Sequence, residues 1–119
     1  MKTEQQIIEL AKLDGFEDIR ISGPFNTLGG SIVINEKRDW HRLPSYLTSR
    51  DAIIPLVEKV LERGEMERLF ARELHKLVFK FPLNWGDVQS VVDSLRMFLY
   101  TTPAQLCEAL LRATGKWVD

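Results

Sequence analysis

The sequence predicts an α+β fold that is mostly helical, with about five helices and one small antiparallel β-ribbon. Apolar residues recur at helical spacing through most of the chain, whereas a short β-branched run at 31–34 follows two glycines. Helix-capping residues mark elements near both ends of the chain. Because the chain has 119 residues, we expect one compact domain, 1–119, with its own core.

The first helix is predicted over residues 3–14, where the apolar residues share one face and Gly15 offers a stop. Thr3 and Gln6 have the spacing of a capping box, in which each side chain bonds the backbone N–H of the other residue. We therefore expect Thr3 to be the N-cap of this helix.

After the first helix the pattern changes to alternation, which predicts a β-hairpin with strands at 18–22 and 31–35. Two strands alone are marginal in water, so this ribbon must lie on the helices or pair with a third strand. The glycine-rich segment 23–31 is predicted to join these strands as a long, mobile loop. It lacks the Gly-Lys-Ser/Thr of a Walker loop and the spacing of a dinucleotide fingerprint, so we expect no phosphate site there. Residues 35–50 are polar and irregular, and we predict that they form a loop.

Helical spacing resumes after this polar segment. It predicts one helix that ends at Gly64, a second that begins near Met66 and stops at Pro82, and a third with its apolar face over 88–99. Pro55 lies early in the first of these helices and should mark its first turn or a kink.

The last helix has the clearest end signals in the chain. Thr102 is a good N-cap, Pro103 fits the first helical position, and Gln105 completes a capping box. Gly115 can adopt the left-handed conformation beyond the last turn, and Trp117 can fold back onto the helix. We therefore expect the chain to finish inside its fold.

Composition and charge argue against several classes of function. Lys plus Arg number 16 and Asp plus Glu 17, and a net charge of −1 is unusual for a protein whose main task is to neutralise phosphates. A local basic patch is compatible with this balance. The N-terminal segment lacks the features of a signal peptide, and no apolar run is long enough to span a membrane, so we expect a cytoplasmic protein.

Residues with catalytic or metal-binding potential are sparse. The lone Cys107 is predicted to be a small buried hydrophobe and not a nucleophile, since no His or Asn lies nearby in sequence. His41 and His75 fall in different predicted elements, so we expect no metal site, and His75 is predicted to lie on a helix surface. The carboxylates considered for acid–base chemistry fall at positions expected on solvated helix faces: Glu58, Glu62, Asp87 and Asp93. The sequence thus predicts no catalytic residue, no metal and no cofactor.

The best candidate for a binding site is the predicted loop 35–50, in which arginines and aromatic residues are interleaved. Tryptophan and arginine are enriched at binding hot spots, and a loop on a rigid scaffold is a common contact surface. The alternative is that Trp40 enters the core and the arginines are merely solvated. The predicted partner-binding residues are Arg38, Trp40, His41, Arg42 and Arg50.

Four segments together are similar to a known family: residues 14–16 (DGF), 43–56 (LPSYLTSRDAIIPL), 102–105 (TPAQ) and 108–117 (EALLRATGKW). This arrangement resembles the phage ABA sandwich domain, a family of small phage and prophage proteins. The resemblance implies an α-β-α layered arrangement and a phage or prophage origin, and hence the cytoplasm of a bacterial host cell. It implies no activity and no catalytic residues, and residues 64–100 do not contribute to it.

We therefore expect a small non-enzymatic protein that binds a host or phage protein, and blunting a bacterial defence system is one role it could serve. One alternative is a nucleic-acid-associated regulator that uses the basic residues of 37–50, which the net charge disfavours. A helix-turn-helix is disfavoured as well, because the last helix has few Arg, Lys, Asn or Gln residues in its N-terminal half. An enzyme whose site is assembled from distant positions and a homo-oligomeric structural protein are also compatible with the sequence.

Overall fold

The computed structural model describes residues 1–79 and 101–119. In chain order the elements are α1 (Thr3–Asp14), β1 (Glu17–Ser22), β2 (Thr27–Ile34), β3 (Lys37–Arg42), α2 (Arg50–Leu61), α3 (Met66–Phe79) and α4 (Pro103–Ala113). The described residues thus contain four helices and one three-stranded antiparallel sheet, which confirms the α+β class. The helix predicted over 88–99, with Asp87 and Asp93, and the stop predicted at Pro82 lie outside the described residues.

Helix α1 has the predicted extent but not the predicted N-cap. Gly15 follows its last turn in the left-handed conformation, with a φ of 103°. Thr3 is the first helical residue, and Lys2 takes the cap position without a side-chain hydrogen bond. The predicted Thr3–Gln6 capping box is therefore wrong, and Nε2 of Gln6 instead donates to the carbonyl of Met1 at 3.1 Å.

The sheet has the strand order β1-β2-β3, so the predicted ribbon gains a third strand, which is one of the two outcomes that the sequence left open. Strand β3 occupies 37–42, within the segment predicted as a loop. Asn35 and Glu36 both have positive φ, 52° and 66°, which is the backbone of a two-residue turn that leads directly from β2 into β3. Such turns favour glycine at the second position, and Glu36 in its place hides the hairpin from sequence analysis.

Gly29 lies inside β2 because its neighbours occupy the space that a Cβ would need. A Cβ at this position would lie 2.3 Å from Cζ2 of Trp40 and 2.6 Å from the carbonyl oxygen of His41. A strand glycine commonly marks such a close approach. The prediction of a mobile loop over 23–31 is therefore wrong, because only the stretch 23–26 connects β1 to β2.

The four described helices share one core, in which α4 packs against each of the other three. The sheet joins this core at its base through Phe16, which precedes β1, and Leu43, which follows β3. Partly buried side chains on one face of the sheet extend the contact: Ile19, Leu28 and Ile32. We call this the inner face. All of β3 is exposed, so this strand forms a solvent-facing edge of the sheet.

A hydrogen-bonded cluster ties the connection after β3 to three helices. The hydroxyl of the buried Tyr46 donates to Oδ2 of Asp14, at the end of α1, over 2.7 Å. Nζ of Lys59 in α2 donates to Oδ1 of Asp14 at 3.1 Å and to its backbone carbonyl at 2.7 Å. The thiol of Cys107 in α4 donates to the carbonyl of Tyr46 at 3.2 Å. We call these four residues the Asp14 cluster.

Helix α2 begins before its first apolar residue. Ser49 is its N-cap, and the hydroxyl accepts from the N–H of Ala52 at 3.3 Å. Pro55 lies inside the helix and not at its start. Gly64, with a φ of 56°, follows the end of α2 in the short connection to α3, close to the predicted stop.

Helix α4 has both of the predicted ends. The hydroxyl of Thr102 accepts from the N–H of Gln105 at 3.2 Å, and Oε1 of Gln105 accepts from the N–H of Thr102 at 3.0 Å, which confirms the capping box. Gly115 has a φ of 74° beyond the last turn. Trp117 then turns back onto the helix, and Cζ of Arg112 lies 4.8 Å from the centroid of its ring.

Two threonines provide a matched test of helix capping. Thr102→Ala removes a side-chain acceptor from the first turn of α4 and should lower the free energy of unfolding by about 1 kcal/mol. Thr3→Ala removes no cap and should change this free energy by less than about 0.5 kcal/mol. Urea denaturation followed by circular dichroism measures both values. Equal losses in the two variants would contradict the assignment of the caps.

Candidate functional site

The predicted site residues in β3 divide between the two faces of the sheet. Side chains alternate along a strand, so Arg38, Trp40 and Arg42 share one face and His41 lies on the other. His41 pairs with Gly30 and therefore lies on the inner face, at an exposed position. We call the face that carries the other three residues the outer face.

Trp40 is held on the outer face by its packing on β2. Its indole lies over Gly29, diagonally across the two strands, which is why no Cβ fits there. Trp40 is still 39% exposed, so it does not enter the core. The outer face therefore presents part of a large aromatic ring whose position is fixed by the neighbouring strand.

Arg38 is oriented by contacts with the other two strands. Its Nη1 lies 3.2 Å from Oε2 of Glu17 in β1 and donates to Oγ of Ser31 in β2 at 3.2 Å. Both partners of this ion pair are well exposed, so the pair adds little to stability. These contacts keep the guanidinium over the outer face.

Arg20 in β1 is a further member of the outer face that the sequence analysis missed. It pairs with Gly29 from one side, and Arg42 pairs with the same glycine from the other side. Within residues 1–79 and 101–119, the structure gives neither arginine an ion pair. The alternation in β1 was the available signal, but only the strand register places Arg20 on the same face as Arg42, with β2 between them. The outer-face group thus consists of Arg20, Arg38, Trp40 and Arg42.

Arg50 lies apart from the outer-face group. It is the first residue of α2, and its Nη1 donates to the carbonyl of Thr101, which precedes the N-cap of α4. This hydrogen bond joins the starts of two helices. The structure therefore brings together three of the five predicted site residues, and it separates His41 and Arg50 from them.

An open cleft of about 400 Å³ lies at the carboxyl end of β3. Its lining combines α1, the connection between β1 and β2, and the segment after β3: Ile7, Phe25, Asn26, Thr27, Leu28, Arg42, Leu43, Pro44 and Ser45. Phe25 is 88% exposed beside it. Because Arg42 belongs both to this lining and to the outer-face group, the two surfaces are continuous.

The buried titratable groups lie in the core and not on this surface. His75 is fully buried in α3, so its predicted surface position is wrong, because α3 packs against both α2 and α4. Cys107 is buried as predicted, and burial raises the pKa of its thiol to about 12. Reactive thiols have lowered pKa values, so this shift opposes a nucleophilic role. Burial, with the hydrogen bond to Asp14, also raises the pKa of Tyr46.

Three further predictions concern acid–base carboxylates, metal binding and membrane spans. Glu58 on α2 and Glu62, which follows its last residue, are both exposed, as predicted. Among the described residues, no three His, Cys, Asp or Glu side chains converge in a way that could hold a metal ion. No helix in the same part of the chain combines the length and apolar character needed to cross a membrane.

Comparison of the chain with protein-family models, with curated proteins and with solved structures gave no match. The feature of this chain that suggests a function is the outer face of the sheet, where Trp40 and three arginines lie beside the cleft.

Packing of Trp40 on Gly29 can be tested by filling the space between them. Gly29→Ala should lower the free energy of unfolding by about 1–3 kcal/mol, because the new methyl group meets both the indole and the backbone of β3. Ser31→Ala, two residues along the same face, is the control and should cost less than about 0.5 kcal/mol. Urea denaturation followed by tryptophan fluorescence measures both. Similar values for the two variants would show that the indole does not cover Gly29.

Burial of Cys107 predicts a loss of stability at alkaline pH. The thiol ionises near pH ~8.5 in the unfolded chain, but in the folded protein its pKa is raised to about 12. The unfolded state therefore binds fewer protons than the folded state above pH ~8.5, and stability falls by up to about 1.4 kcal/mol per pH unit from this group. Below pH ~8.5 the thiol contributes no slope.

Cys107→Ala removes this titration, so its free energy of unfolding should fall less steeply than that of the unaltered protein. Urea denaturation between pH ~8 and ~10 measures the two slopes. An unfolded tyrosine, with a pKa of ~10, begins to ionise in this range in both proteins, so its contribution cancels from the difference between the slopes. The substitution leaves a small cavity, which lowers stability at every pH, so the comparison uses slopes and not absolute values. Parallel curves would contradict the raised pKa.

Proposed function

We propose that this protein is a non-enzymatic binding protein that engages a host or phage protein through the outer-face group. The observation that supports this function is Trp40, which is 39% exposed between two arginines on an edge strand. Tryptophan and arginine are the residue types most enriched at binding hot spots. Because Gly29 fixes the indole before any partner arrives, binding loses little side-chain entropy at Trp40.

Charged residues on an edge strand also have a simpler explanation. They discourage sheets of different molecules from pairing edge to edge, and Lys37, Arg38, Asp39 and Arg42 would all contribute to that effect. This explanation does not require a large aromatic side chain to remain exposed beside the arginines. Trp40 is therefore the residue whose removal distinguishes a binding surface from a merely protected edge.

The phage or prophage assignment depends on the resemblance to the phage ABA sandwich domain. This resemblance implies an α-β-α layered arrangement and a location in the cytoplasm of a bacterial host. The fifth helix, with its apolar face over 88–99, is a separate prediction from helical spacing. A small protein of this origin that binds one host protein is suited to blunting a bacterial defence system. The α+β class of the described residues is compatible with this arrangement.

A second candidate function is binding of nucleic acid. Arg20, Arg38 and Arg42 lie on one face of the sheet, where Trp40 offers a surface on which a base could stack. The net charge of −1 is unfavourable for this function. Phosphate contacts weaken steeply between low and physiological salt, so the absence of DNA or RNA binding even at low salt would eliminate it.

The proposed function predicts that Trp40→Ala combined with Arg42→Ala lowers recovery of the partner at least about tenfold, which corresponds to ~1.4 kcal/mol of binding free energy. The tagged protein is used to capture partners from nuclease-treated bacterial lysate, and mass spectrometry quantifies them. The control is Arg68→Ala combined with Val118→Ala, which removes an exposed arginine and an exposed apolar side chain elsewhere.

Equal recovery by both double variants would refute binding through the outer face. Because Trp40 covers Gly29, thermal melting of each variant first establishes that the bait is folded. If nuclease treatment abolishes all capture, the nucleic-acid function gains support. If the bait captures only itself, light scattering on the purified protein tests whether the chain is a homo-oligomeric structural protein.

A further inference from the structure

Within residues 1–79 and 101–119, β3 pairs with another strand on one side only, and the backbone groups on its other side belong to the residues that carry the outer-face side chains. The N–H of Leu43 donates to the carbonyl of Leu28 at 3.1 Å, which identifies these residues as a hydrogen-bonded pair in the antiparallel ladder. Such pairs recur at every second residue, so residues 37, 39 and 41 also direct their backbone groups toward β2. Residues 38, 40 and 42 direct theirs away from it.

Because residues 38, 40 and 42 direct their backbone groups away from β2, a strand added to this edge would contact Arg38, Trp40 and Arg42 in two ways. Its backbone would pair with the outward-directed N–H and C=O groups of these residues, and its alternate side chains would lie beside theirs on the outer face. The side chains that it would meet there are basic, aromatic and basic in turn. The complementary sequence is an acidic residue, any residue, an apolar residue, any residue and an acidic residue.

We propose that the edge of β3 binds an extended segment of the partner protein by strand addition, and that this segment has the pattern acidic-x-apolar-x-acidic. The inference rests on the proposed function, for which it names the chemistry of the bound segment. The pattern reads the same in both chain directions, so it holds for parallel and antiparallel pairing.

Charge complementarity favours an acidic segment over a second copy of this chain. Within the described residues Arg42 has no ion pair, and the pair between Arg38 and Glu17 is exposed enough to be exchanged for another carboxylate. Self-pairing of two β3 strands about Trp40 would place Arg38 of each copy opposite Arg42 of the other. Like charges directly opposite one another destabilise a strand pair.

Synthetic peptides test the inference directly. The probe is a fluorescent peptide with the sequence Thr-Glu-Thr-Leu-Thr-Glu-Thr, and fluorescence anisotropy measures its binding to the full chain. The same peptide with lysine in place of glutamate should bind at least about tenfold more weakly. Arg42→Glu should abolish most of this preference, because one of the two glutamates then lies beside a carboxylate. Arg68→Glu, the same charge change on the exposed surface of α3, should leave the preference unaltered.

Backbone methylation separates strand addition from simple charge attraction. Two versions of the peptide are N-methylated on alternate backbone amides, one at its odd-numbered residues and the other at its even-numbered residues. Only one of these two sets of amides faces β3 in a paired strand. One of these peptides should lose binding at least about tenfold while the other retains it. Equal affinity of the two, or binding that depends on charge alone, would overturn the inference.

Amide hydrogen exchange provides an independent readout of the same pairing. In the free protein the amides of Asp39 and His41 should exchange slowly and those of Arg38, Trp40 and Arg42 rapidly. Bound peptide should slow the second set. If the peptides fail but the Trp40→Ala/Arg42→Ala bait still loses its lysate partner, strand addition is wrong and the proposed function stands. If the Trp40→Ala/Arg42→Ala bait instead captures every lysate partner as well as the unaltered protein does, the proposed function itself is overturned.

Discussion

The carboxylate of Asp14 is the point on which the placement of the sheet depends. The chain enters the sheet just after Asp14 and leaves it just before Tyr46, and these two residues are joined by a 2.7 Å hydrogen bond. This one hydrogen bond therefore joins the segment before β1 to the segment after β3 and holds both at the helical core. Lys59 holds the other carboxylate oxygen from α2, so the carboxylate keeps a positive partner beside the buried phenol. Without the carboxylate, the tyrosine hydroxyl would lose its acceptor in a buried position.

The segments that carry the family resemblance contribute residues to the Asp14 cluster and to the ends of helices. Asp14 belongs to the segment DGF, Tyr46 to LPSYLTSRDAIIPL, and Cys107 lies between the two C-terminal segments. These segments supply two members of the cluster, Asp14 and Tyr46, together with the cap of α2 and both ends of α4. The resemblance therefore follows residues that maintain packing. A protein could keep all of them while its exposed strand changed, so the resemblance by itself does not specify a partner.

Local physical signals made the helices predictable, and long-range contacts made the sheet difficult to predict. Gly15, Thr102 and Gly115 act within one helical turn, and their consequences could be predicted from neighbouring residues. Gly29 is a strand residue because an indole from another strand covers it, which no nearby residue indicates. Strand β3 has polar residues on both faces, so it lacks the alternation that identifies a half-buried strand. The residue types of the site could be predicted, but their division between two faces required the register.

The difference between a loop and a strand changes how Trp40 and the arginines can act. On a loop, each side chain would have to be ordered when a partner bound, and that entropy would oppose binding. On β3 the backbone is already extended and paired on one side, and the indole already lies on Gly29. Among the described residues, the backbone N–H and C=O groups on the other side of β3 have no strand partner, at the three residues whose side chains lie on the outer face. The edge is thus rigid, charged and incompletely hydrogen-bonded, and these properties together favour recognition of an extended chain over recognition of a folded surface.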